Sequence, residues 1–244
     1  MIVNLQNKAE FVDKFLKPVS RISNKCIFNI ASEGIHSILC TDDHSIVLYS
    51  QYTTDLDVDE PVQISVPDLM RFIKILECVD TSNMSLELNS NNIQYKSANI
   101  KFKYHLLENG ILKPPAIDAQ KIEQLEYDTR FSMPYTSLIS LIKSGGFTLD
   151  INKVYLMTKD DDVYAEIDDK QAHNVDSICL KVCEGFVGLP IDSPLPVSFE
   201  TVRTLAGCRC ETVEVAINTK LNVMQFVINT DNIKSTYIIS GLAT

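Results

Sequence analysis

Apolar and polar positions along the chain alternate between two periods. From Ala9 to Val19 the residues Phe11, Val12, Phe15, Leu16 and Val19 recur at helical spacing, which predicts an amphipathic helix. Period-two alternation with β-branched residues predicts strands at Cys26–Ile30, Ile35–Leu39, Ile46–Tyr52 and Val62–Val66. A second helix starts at Pro67-Asp68, where Pro suits the first turn, and runs to Val79. Strands at Met84–Leu88, Asn92–Tyr95 and Asn99–Leu107 follow. The same series then recurs: a helix from Pro134 to about Lys143; strands Val154–Met157, Val163–Ile167, Ser177–Val182 and Leu195–Ser198; a helix from Phe199 to about Gly207; and strands Thr212–Ile217, Val223–Asn229 and Ile233–Ser240. Two helices per mostly antiparallel sheet, used twice, predict an α+β fold.

The recurrence is visible in the residues themselves. Asn99-Ile100-Lys101 with Tyr104 matches Asn232-Ile233-Lys234 with Tyr237, Ile93-Gln94-Tyr95 matches Met224-Gln225-Phe226, and Arg71 falls opposite Arg203. Together with Ser85-Leu86-Glu87-Leu88 against Glu214-Val215-Ala216-Ile217, these matches keep their order at offsets of 129–133 residues, which implies two copies of one supersecondary plan. The expected division is 1–107 for the first domain, 108–126 for a linker and 127–244 for the second. The linker contains the breakers Asn109-Gly110 and Pro114-Pro115, yet Ile111, Leu112, Ile117, Ile122 and Leu125 are too apolar for a free tether. It is expected to lie on the protein surface.

Composition narrows the chemistry. With 45% hydrophobic residues in 244, the chain can bury a proper core. The first residues lack the basic start and apolar run of a signal peptide, and no stretch approaches a membrane span. Seven cysteines, an odd number, read as reduced and mostly buried thiols of a cytosolic compartment. Lys143-Ser144-Gly145-Gly146 lacks the spacing of a phosphate loop. The four histidines His36, His44, His105 and His173 are not at metal-ligand spacing, and Cys179-x3-Cys183 and Cys208-x-Cys210 lack the usual knuckle. The acidic runs Asp160-Asp161-Asp162 and Asp55–Glu60 sit among turn signals and read as solvated loop tips. No catalytic residues, metal or cofactor are expected, and the chain does not read as an enzyme.

A net charge of −10 argues against nucleic-acid binding unless a basic face is segregated. The helices supply one. On a helical wheel Lys14, Lys17 and Arg21 fall within about 60° of each other, opposite the apolar stripe, although Arg21 lies beyond Pro18 at an expected frayed end. Arg71 and Lys74 do the same on the second helix, and Lys143, Arg203 and Arg209 are the helix-associated bases of the second copy. Each face alone reads as an ordinary solvated surface; all four helices turning bases outward from an acidic chain reads as a segregated basic face.

Order, duplication and helix charge together resemble a DNA polymerase sliding clamp, of the proliferating-cell-nuclear-antigen type and the related processivity clamps of T4-like bacteriophages. The resemblance spans nearly the whole chain. Its local carriers are Thr41-Asp42-Asp43-His44-Ser45-Ile46-Val47-Leu48, Leu125-Glu126-Tyr127 followed by Met133-Pro134, and the closing Asn232-Ile233-Lys234 to Tyr237 strand. The short tail Ser240–Thr244 and the Pro-Pro linker depart from nuclear clamps and point to a viral member. The resemblance implies a DNA clamp fold of two such domains, three chains closing a homotrimeric ring around duplex DNA, helix bases facing phosphates, and DNA polymerase and a clamp loader as partners, without a membrane and in the host-cell cytoplasm. It implies subunit edges at Ile100, Phe102 and Tyr104 on one side and Ser177, Cys179 and Lys181 on the other. It places a partner-peptide pocket at Cys40, His44, Ile46, Ile122, Leu125, Tyr127, Leu221, Tyr237 and Ile239. A different reading with the same repeat is a viral structural or adaptor protein built from duplicated β-rich units, which has no need of outward bases.

Overall fold

The structure, a computed structural model, describes residues 1–58, 60–117, 122, 124–146, 151–170, 176–207 and 209–242. Cys208, His173 and linker positions 118–121 and 123 lie outside the described residues. Strands β1 to β8 are Ile2–Leu5, Cys26–Ala31, Gly34–Cys40, Ile46–Thr53, Val62–Val66, Met84–Asn89, Asn92–Lys96 and Lys101–His105. Strands β9 to β17 are Thr129–Pro134, Lys153–Lys159, Asp162–Ile167, Ile178–Cys183, Val187–Gly188, Leu195–Ser198, Thr212–Asn218, Val223–Asn229 and Ile233–Ser240. Helix α1 runs through Lys8–Glu10, Phe11–Leu16 and Lys17–Ile22; α2 is Leu69–Glu77, α3 Tyr135–Ser144 and α4 Phe199–Leu205.

Contacts group these elements into two compact units. One gathers Met1–Thr41, Leu48–Ala119 and Asp231–Ser235; the other gathers Asp42–Val47, Gln120–Thr230 and Thr236–Thr244. The first holds the sheet order β1-β6-β7-β8 and the order β5-β2-β3-β4. The second repeats both, as β9-β15-β16-β17 and β14-β10-β11-β12, with the two-residue β13 added beside β9. The duplication read from the sequence is therefore a duplication of topology, strand by strand.

In the first unit α1 buries Phe11, Val12, Phe15, Leu16, Val19 and Ile22. Phe15 stacks against Phe11 at 5.4 Å and meets Phe28 at 5.6 Å, while Phe11 sets its edge to Tyr52 at 5.1 Å. Each such side chain contributes roughly 2–3 kcal/mol of burial, and this cluster seats the helix. The ammonium of Lys8 donates to the carbonyls of Leu76 and Val79 and so closes the C-terminal end of α2. In the second unit α3 and α4 meet where Gly145 faces the Phe199 ring; a Cβ there would stand 1.9 Å from the ring, so only glycine allows the approach. The Tyr135 hydroxyl donates to the Ala206 carbonyl at 2.9 Å and ties the same two helices.

Most expected elements are present within one or two residues of their bounds; the departures have physical reasons. The first helix does not fray at Pro18. Its middle, Phe11–Leu16, is a π-helix in which the Lys17 N–H reaches five residues back to the Val12 carbonyl. The wider turn absorbs the proline, which cannot donate and would crowd an α-turn, so Arg21 sits inside a helix that continues to Ile22. The strand expected from Asn99 shortens to Lys101–His105, because the Ser97 N–H and the Ile100 carbonyl close a turn at 2.9 Å. The short strands β1, β9 and β13 were not expected. In β9 the inward residues are Thr129, Phe131 and Met133, and its last residue, Pro134, is the N-cap of α3.

Candidate functional site

All eight helix-associated bases lie at the surface, Lys14 and Lys17 half-buried and Arg21, Arg71, Lys74, Lys143, Arg203 and Arg209 exposed. They do not carry equal free charge. Lys17 bridges Asp13 at 2.7 Å and Glu77 at 2.8 Å, joining α1 to α2; the hydrogen bond it donates to Asp13, then that to Glu77, raises its pKa. Lys14 pairs with Glu10 at 3.3 Å. Arg203 pairs with Glu200 and lies over the Phe199 ring at 4.5 Å. Sequence reasoning counted the bases and missed these carboxylates, although Asp13, Glu10 and Glu200 stand three or four residues away, where helical neighbours meet. The sites of α2 are set by Asp68, whose carboxylate caps the helix by accepting from the Arg71 N–H at 2.9 Å. That bond, before all else, holds the Asp68 carboxyl below its ordinary value of 3.8.

The two expected subunit edges are edges of their sheets: β8 ends the order β1-β6-β7-β8, and β12 ends β14-β10-β11-β12. Their side chains divide by face. Ile100 and Phe102 are half-buried, Phe102 stacking on Tyr95 at 5.7 Å. Tyr104 is turned inward and 4% exposed. Its hydroxyl donates to the Asp68 carbonyl at 2.7 Å and accepts from the Asp68 N–H at 3.1 Å. The side chain of Tyr104 is thus a brace under α2, and alternation along β8 leaves Lys101, Lys103 and His105 on the outer face. On the other edge Ser177, Cys179 and Lys181 are exposed, and Lys181 is held by Asp162 at 3.3 Å and Glu184 at 3.0 Å.

The expected peptide-binding residues separate into core and surface. Tyr237 and Ile239 are fully buried on β17, Ile46 on β4 is 4% exposed, and Ile122 of the linker is 4% exposed, so these four side chains are buried. Cys40 is half-buried at the end of β3 in the first unit. His44 is exposed in a turn at φ 57°, beside Asp43, whose carboxylate accepts from the Ser45 N–H and hydroxyl. Leu125 and Tyr127 are half-buried and Leu221 is 63% exposed. The structure brings these last three segments together: Asn218 donates to the Glu126 carbonyl at 2.9 Å, Thr219 donates to Asp128, and Leu242 is bound to Asn222 at 3.0 Å. Burial pushes the Tyr127 phenol up to about 12.

Val187 and Leu189, 74% and 57% exposed, adjoin this face and were missed by sequence reasoning. Leu189 donates its N–H to the Asp128 carbonyl and accepts from the Thr129 hydroxyl at 2.6 Å. The signal was an apolar Val-Gly-Leu-Pro run outside any predicted strand.

Cys26 and Cys183 are buried, Cys40 and Cys210 intermediate, and Cys78 and Cys179 exposed. Among the described residues no group of three or more His, Cys, Asp or Glu converges to hold a metal ion, and no helix is long and apolar enough to cross a membrane.

No protein-family profile matches this sequence, and no curated protein matches it. The fold has clear counterparts. It is similar to A. fulgidus PCNA in complex with the C-terminal region of FEN-1, with a TM-score of 0.81 at 15% identity over 100% of this chain and 98% of that one. It is similar to Entamoeba histolytica PCNA, at 0.79 and 11% over 99% and 98%, and to a PCNA of the PCNA2–PCNA3 complex from Sulfolobus tokodaii, at 0.75 and 13% over the whole of both chains. The fold is that of a PCNA-type sliding clamp. The likeness runs end to end at low sequence identity, so both topological copies belong to this fold.

Proposed function

We propose that this chain is a DNA sliding clamp: a non-enzymatic scaffold that closes as a homotrimer around duplex DNA and tethers a replicative DNA polymerase, having been placed there by a clamp loader. The observation that supports it most is the end-to-end fold likeness to PCNA. In this reading residues 1–107 and 127–244 are the two clamp domains and 108–126 the connector. Arg21, Arg71, Lys74, Lys143 and Arg209, with the partly neutralised Lys14, Lys17 and Arg203, face phosphates. Phosphate contacts carry no base information, so the grip is loose and sequence-blind, and retention is topological. A polymerase held on the ring stays at high effective concentration near its primer end. Partner peptides dock on the face around Leu125, Tyr127 and Leu221. The Pro114-Pro115 linker favours a bacteriophage or other viral source, with action in the host-cell cytoplasm.

The test is retention on closed DNA. Loaded onto a nicked circular duplex, the protein is expected to co-elute with the circle through gel filtration and to be released when a restriction enzyme linearises it. Equal retention on circle and line, or a protein that stays monomeric at micromolar concentration, refutes the proposal.

A further inference from the structure

The clamp reading, on which this inference rests, requires two unlike sheet edges to meet. The edges carry opposite charge. Between Asn89 and Leu107 the sequence has no Asp or Glu but has Lys96, Lys101, Lys103 and His105, all exposed. Lys96 and Lys101 stand directly opposite each other across β7 and β8. Like charges so placed destabilise an antiparallel pair, and among the described residues none of the three lysines has an ion-pair partner. The monomer therefore leaves a small repulsive cluster beside an open strand edge.

Around β12 the balance is reversed. The described residues from Asp160 to Glu184 include eight carboxylates against Lys170 and Lys181. Glu166 stands opposite Cys179 across β11 and β12. Both lysines are already engaged, Lys181 by Asp162 and Glu184 and Lys170 by Glu166 at 3.4 Å. Lys159, opposite Asp162 across β10 and β11, adds a third base, and among the described residues the eight carboxylates still outnumber the bases.

We propose that the Lys96–Lys101–Lys103 face at β8 is the electrostatic counterpart of the acidic β12 edge of a second copy, and that this asymmetry selects head-to-tail pairing. An open strand edge is a template for any other edge. Pairing β8 with β8 would gather six lysines, and pairing β12 with β12 would set carboxylates against carboxylates. Only the unlike pairing gives Lys96 and Lys101 the anions they lack. Repulsion against the wrong arrangement specifies the right one, and a head-to-tail contact is the kind that closes a ring.

Charge exchange tests it. One variant carries Lys96→Glu, Lys101→Glu and Lys103→Glu; a second carries Asp162→Lys, Glu166→Lys and Glu184→Lys; a third carries all six. Sedimentation equilibrium on the full chain at about 50 mM salt is expected to show the dissociation midpoint of the first two raised by about 10-fold or more, from three weakened surface pairs per seam. The six-fold variant should return to within about three-fold of the original chain. The first two, mixed, should associate with each other and not with themselves. At about 0.5 M salt the differences should shrink. Circular dichroism checks folding, and a Lys→Gln set at 96, 101 and 103 should fall in between. Assembly unchanged in both three-fold variants, or no recovery in the six-fold one, overturns the charge assignment while leaving the clamp reading standing. A monomeric original chain overturns both. A lysine variant that assembles normally but loses affinity for linear duplex shows the face to be a nucleic-acid surface, and also overturns the assignment.

Discussion

Removing one oxygen separates the brace role of Tyr104 from an interface role. In Tyr104→Phe the ring keeps its place against Phe72, 5.0 Å away. The Asp68 N–H loses its partner at 3.1 Å, whereas the Asp68 carbonyl loses one of two, at 2.7 Å, and keeps the Phe72 N–H at 3.1 Å. A buried backbone group left unmatched costs about 1–3 kcal/mol. Asp68 is only half-buried, so water recovers part of this and the expected loss is about 1–2 kcal/mol. For a chain of this length that lowers the melting temperature by about 2–8 °C, measured by calorimetry at one fixed protein concentration because assembly adds stability by mass action. The self-association of the variant at 20 °C should equal that of the original. A variant of undiminished stability would refute the brace, and one that melts normally but fails to assemble would return Tyr104 to the interface.

The same geometry sets two further outcomes. Leu189→Ser with Leu221→Ser alters side chains that are mostly exposed, so stability should change by less than about 0.5 kcal/mol. The anisotropy-measured affinity for a fluorescent C-terminal peptide of the cognate polymerase should fall about 10-fold or more, and unchanged affinity would remove this face from partner binding. The Asp68 carboxyl is depressed by its capping bond from Arg71, so the stability it contributes is present above its ordinary value of 3.8 and is lost as pH falls through the lower folded value. Asp68→Asn keeps an acceptor but does not titrate there; urea melts between pH 7 and pH 3 should show a shallower acid limb, and identical limbs would refute the linkage.

The plan of the fold was legible because it is written in periodicity and written twice. Val62–Val66, Val223–Asn229 and Ile233–Ser240 have the bounds that alternation gives them. β1 escaped because four residues offer only two inward positions, Val3 and Leu5. β9 escaped because its last residue, Pro134, also begins the signal for α3. Helix bases are legible as a set; Lys14, Lys17 and Arg203 spend part of their charge on neighbours, and the Glu77 arm of Lys17 comes from another helix, which helical spacing does not show. Tyr237 and Ile239 show the remaining limit: alternation says that a strand has two faces, and only packing says that this face is sealed.

The last strand has a consequence for the order of events at the ribosome. Asp231–Ser235 clusters with the unit built mainly from the first half of the chain. There Asn232 donates to Glu10 at 3.0 Å, across 222 positions of sequence, and Ser235 shares a hydrogen bond with Ser50 at 2.9 Å. The amino-terminal half therefore cannot complete its contacts during synthesis until nearly the whole polypeptide has emerged. Cutting the gene at the linker would yield an amino-terminal fragment missing its closing piece rather than a self-sufficient module.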